Sequence, residues 1–141
     1  MAVNDWVYTI ESKIYTIVKT RLKTALSSTY PDLLVTQQQK LNDEPHFPTV
    51  YIQMLDSPEI GSDLENSTVN ALLTTFEVHI TANKKQGLSG LRSIQTAVTD
   101  NFKKLRFNVV TRGEFTRETD DTYTSISRFR RIIGGNEEIN F

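Results

Sequence analysis

From Leu72 to Ala82 the chain alternates without interruption. Leu72, Thr74, Phe76, Val78, Ile80 and Ala82 fall on one side, and Leu73, Thr75, Glu77, His79 and Thr81 on the other. A period of two sustained this long specifies a β-strand with one buried face, and it calls for a second layer to cover that face. Taken from Thr68 to Ala82, the run would extend for roughly 50 Å at about 3.3 Å per residue. A compact domain of this size is only roughly 37 Å across. Either the run is broken by a bulge or a bend near Asn70, or part of it projects as an arm whose edge another subunit covers.

Two helical stripes can supply the second layer. Val7, Ile10, Ile14, Ile17, Val18, Leu22, Ala25 and Leu26 recur at steps of three and four, predicting a helix capped by Asn4 or Asp5 and ending near Ser28, before Pro31. Leu88, Leu91, Ile94, Val98, Phe102 and Leu105 mark a second. Shorter strands are expected over Leu33–Gln38, Thr49–Leu55, Phe107–Phe115 (weakened by Gly113) and Thr122–Ile133. Gln39–Pro48 and Ser57–Asp63 read as loops, and Glu118–Asp121 as a turn. The order α-β-β-β-α-β-β predicts an α+β fold: a mostly antiparallel sheet, two helices on one face, and a long projecting strand or hairpin. Residues 1–135 form one domain in this reading, and 136–141 a flexible tail.

Composition narrows the function classes. The 141 residues contain no cysteine, which leaves no disulfide and no thiolate ligand. The net charge of −1 argues against a gross electrostatic dependence on nucleic acid or anionic lipid. It is unevenly spread: residues 1–70 carry five basic and nine acidic side chains, and 71–141 eleven and eight. No apolar run has the ~20 residues that span a bilayer. Met1-Ala-Val-Asn-Asp has neither a basic nor an apolar leader segment. A soluble, cytosolic domain is the expectation.

A search for chemistry finds little. His46 and His79 have no second ligand at metal-binding spacing, and the pairs Asp43-Glu44, Asp120-Asp121 and Glu137-Glu138 are adjacent on turns rather than opposed across a cleft. There is no nucleophile elbow and no Walker loop; Gly87-Leu-Ser-Gly90 is read as a strand-to-helix turn ahead of an anion site. No enzyme, cofactor or metal is expected. Partner contacts are expected at Ile60 and Leu64, the apolar anchors of the polar segment Ser57–Ser67, and at Arg112, Arg128 and Arg130. Arg112, Arg128 and Arg130 with Phe129 also leave open a small nucleic-acid-binding module.

An amphipathic first helix, Phe47-Pro48-Thr49-Val50-Tyr51-Ile52, the strand Thr75-Phe76-Glu77-Val78-His79-Ile80, the helix around Leu91 to Phe102 and the Arg-rich strand from Tyr123 follow one another in the chain. Over nearly its whole length this pattern resembles the tail terminator (tail completion) proteins of long-tailed bacteriophages. The resemblance lies in element order, size and texture. It implies an α+β subunit of a hexameric ring in the virion, assembled in the host cytoplasm, that sits on the tail tube, stops its polymerisation and offers the surface for head joining. The partners it implies are the tube protein, a head-completion or connector protein, and genomic DNA passing through the lumen without sequence-specific binding. A head-completion or connector-binding neck protein is the related alternative.

Overall fold

The computed structural model describes residues 5–37, 47–55, 57–62, 69–119 and 122–135. Among them, the order is α1 (Trp6–Leu26), β1 (Leu34–Thr36), β2 (Thr49–Met54), β3 (Glu59–Ser62), β4 (Val69–Asn83), α2 (Gly87–Lys104), β5 (Asn108–Thr119) and β6 (Thr122–Gly134). The fold is α+β. Its mixed six-stranded sheet runs β1-β2-β4-β6-β5, with β3 also paired to β4; only β1 and β2 are parallel.

The long alternating run is one unbroken strand of 15 residues. It does not project with a bare edge. One edge pairs with β6 in a continuous register from Ala71↔Gly134 to Asn83↔Thr122, and the other carries β2 and then β3. Between the β2 and β3 pairings the first strand holds one residue more than β4, a bulge that reverses its facing. The Leu55 N–H to Thr75 O bond (2.7 Å) and the Leu73 N–H to Pro58 O bond (2.9 Å) span that break.

Ser57–Asp63 was expected to be a loop, and the structure corrects this over Glu59–Ser62. The edge of β4 offers backbone groups that satisfy the segment whatever its own propensity, and Pro58 stands just outside the strand, where its missing N–H costs nothing. The β5–β6 hairpin is also tighter than expected, since Glu118 and Thr119 lie in β5 and not in a turn. Most of the loop before Pro48, Leu64, and the expected tail 136–141 lie outside the described residues.

The core lies between the helices and the face of β4 carrying Leu72, Phe76, Val78, Ile80 and Ala82. From α1, the buried residues are Ile10, Ile14, Val18, Leu22 and Leu26; from α2, Leu91, Ile94, Val98 and Phe102 join them. Leu88, counted in the second stripe, is instead exposed. The Phe102 and Phe129 rings stack with centroids 4.5 Å apart, and Phe76 and Phe107 pack around them. The Ser125 hydroxyl donates to Gln95 Oε1 (2.7 Å), fixing α2 over β6. Gly90 gives the start of α2 its clearance: a Cβ there would stand 3.3 Å from the Tyr30 hydroxyl oxygen and 2.9 Å from Gln86 Cβ. Tyr15 Oη donates to Val35 O (3.1 Å) in β1 and Lys23 Nζ to Leu33 O just before it, which tie α1 to this stretch of chain.

Candidate functional site

Both helices pack on one face of the sheet, and no described element covers the other. Strand register builds that open face rung by rung. Tyr51, His79, Ile126 and Glu114 form one rung, and Gln53, Glu77, Arg128 and Thr111 the next. Thr75, Arg130 and Asn108 follow, then Leu73 with Ile132, and last Ile60, Ala71 and Gly134.

The central rungs hold a closed polar network. Glu77 lies on the open face yet is only 7% exposed, because its neighbours' side chains lie over it. Its Oε1 receives His79 Nε2 (2.6 Å) and Gln53 Nε2 (3.2 Å), and its Oε2 receives Arg128 Nε (2.7 Å). Tyr51 Oη donates to Gln53 Oε1 (2.7 Å), and its ring meets the His79 ring edge to face. Burial pushes the Glu77 carboxyl up, but the hydrogen bonds and charges of His79 and Arg128 outweigh it and hold the pKa below the usual glutamate value. Both carboxylate oxygens are thus engaged by neighbouring side chains on the open face.

At the end of the face the character changes. Ile132 is 54% exposed and Ile60 37%, and Leu73 and Ala71 lie between them in register. Ile60, Arg128 and Arg130 therefore share the open face. Arg112 does not join them: it lies on the helix side, beside a β5 irregularity where Gly113 adopts φ +146°, in a cleft of about 440 Å³ against α2.

Phe129 is fully buried, stacked on Phe102, and this corrects the surface aromatic invoked for nucleic-acid binding. Strand alternation is the reason: Phe129 points to the opposite face from Arg128 and Arg130. Tyr51, Gln53 and Ile132 were missed as surface residues. Alternation within their strands was the available signal, but it does not say which face stays open.

Among the described residues no group of three or more His, Asp or Glu side chains comes together, and no described helix is long and apolar enough to cross a membrane. No protein-family model matches the chain, and no curated protein is significantly similar to it.

Proposed function

We propose that this chain is a structural subunit of a long-tailed bacteriophage, a tail terminator that closes the tail tube as a ring, stops its growth and provides the surface for head joining. The observation that carries the reading is the open sheet face. It combines a satisfied ion-pair network at its centre with a contiguous apolar end, Ile60–Ala71–Leu73–Ile132, the composition of a surface that another protein covers. The neighbouring copy is its natural occupant, and the tube protein and a head-completion or connector protein meet the two ends of the ring. Six copies is the number the family resemblance implies. DNA passes through the lumen without base-specific contact. The polar network, with its carboxylate fully engaged, supports a role without catalysis. Burial of Phe129 weakens the nucleic-acid-module alternative, which needed that ring at the surface.

The mass of the assembled species tests this. Light scattering at high concentration, alone and with tube protein, is expected to show a closed species near six times the 16.1 kDa of the chain. A strict monomer under both conditions overturns the ring.

A further inference from the structure

The cleft between α2 and β5 is lined by Arg92, Lys103 and Arg112, with Asp100 as its one carboxylate. Among the described residues none of the three cations forms an ion pair. Arg92 lies over the Phe115 ring (6.0 Å to the centroid), and Phe115 is itself 41% exposed. The site therefore offers a net positive charge beside an apolar spot. Residues 136–141 read Asn-Glu-Glu-Ile-Asn-Phe, two adjacent carboxylates followed by two large apolar side chains. We propose that this cleft receives residues 136–141 of a second copy, Glu137 and Glu138 meeting Arg92 and Arg112, and Ile139 or Phe141 meeting Phe115.

Chain geometry decides that the segment comes from another copy. Phe115 pairs with Ser125, and Thr111, next to Arg112, pairs with Arg128. Measured along β6, those rungs lie roughly 23–33 Å before Gly135 at about 3.3 Å per residue. Fully extended, Glu137 and Glu138 reach only about 7–11 Å past it. A subunit therefore cannot place its own acidic pair on its own Arg92 and Arg112. A contact from the far end of β6 on one copy to the α2–β5 cleft of the next is head-to-tail, the kind that closes into a ring when the rotation permits. The inference rests on the ring reading and names one contact between neighbouring copies. An acidic peptide segment fits better than nucleic acid, because Arg92 already occupies a face of Phe115 on which a base would stack.

Charge reversal in the full chain tests it, with thermal unfolding as the check on folding. Glu137→Arg/Glu138→Arg and Arg92→Glu/Arg112→Glu are each expected to raise the concentration needed for assembly about tenfold or more. The four changes together restore it, and an equimolar mixture of the two half-reversed chains co-assembles, because each then offers what the other's partner site accepts. If both half-reversed chains assemble like the wild type, or if neither the combination nor the mixture recovers, the proposal falls while the ring stands. If the wild type never assembles, a synthetic peptide of residues 134–141 decides the matter separately. Binding to the wild type that is lost in Arg92→Glu/Arg112→Glu supports the cleft, and no binding overturns it. A single-stranded oligonucleotide that binds through Arg92 and Arg112 where the peptide does not also overturns it.

Discussion

Arg128 donates through Nε to Glu77 Oε2 at 2.7 Å, directly across a rung that joins β6 to β4. The pair sits at the centre of the open face, with His79 and Gln53 on the other carboxylate oxygen. Because the folded-state pKa of Glu77 is lowered, the unfolded chain binds the proton more readily. The stabilisation is therefore complete above the ordinary glutamate pKa and is lost as pH falls through the folded value. Glu77→Gln is expected to cost roughly 1–2 kcal/mol at neutral pH. Urea unfolding as a function of pH checks this: the gap between wild type and variant should close on acidification, and a gap that stays constant contradicts it.

Much of this arrangement was legible in the sequence. The helix stripe of Ile10, Ile14, Val18 and Leu22, and the alternation that points Glu77 and His79 away from Phe76 and Val78, need only periodicity. What was not legible depends on distant partners. Glu59–Ser62 becomes a strand because β4 lends it an edge, and Pro58 and Gly61 conceal that locally. Whether β4 is bare or paired depends on β2, β3 and β6 together. Arg112 leaves the face of Arg128 because the β5–β6 register shifts between Val109 and Thr111, and a regular alternation does not foresee such a shift.

An aromatic stack lies at the centre of the core. Phe102 is fully buried between α2 and β6, against Phe129. Phe102→Ala is expected to destabilise by about 3–5 kcal/mol. Urea unfolding should show a lower midpoint with an unchanged slope. A loss below about 1 kcal/mol would mean that the stack is not the packing centre.

The C-terminus of α2 closes with a left-handed residue that is not glycine. Arg106 has φ +66°; its N–H bonds Lys103 O (2.9 Å), the Phe107 N–H bonds Phe102 O (3.0 Å), and the Phe102 and Phe107 rings touch. Arg131 Nη1 also donates to Leu105 O, and burial followed by the charge of Arg106 lowers the Arg131 pKa. Arg106→Gly relieves both the backbone strain and the repulsion. It is expected to stabilise the fold by about 1 kcal/mol, a rise in melting temperature that calorimetry reads directly.

Ile132 separates folding from assembly. At 54% exposure on the apolar end of the open face, it contributes little to the isolated fold. Ile132→Lys should change unfolding stability by no more than about 0.5 kcal/mol. In the same preparation, sedimentation should show self-association weakened about tenfold or more, as expected for a charge placed in a covered apolar contact. Unchanged association would remove this end of the face from the interface.

The length of tail tubes tests the central claim most directly. Polymerising the cognate tube protein with increasing amounts of this chain, and measuring the tubes by electron microscopy, should give progressively shorter tubes with a ring at one end. Tubes of unchanged length with bare ends, at concentrations where the chain is folded, would contradict the account.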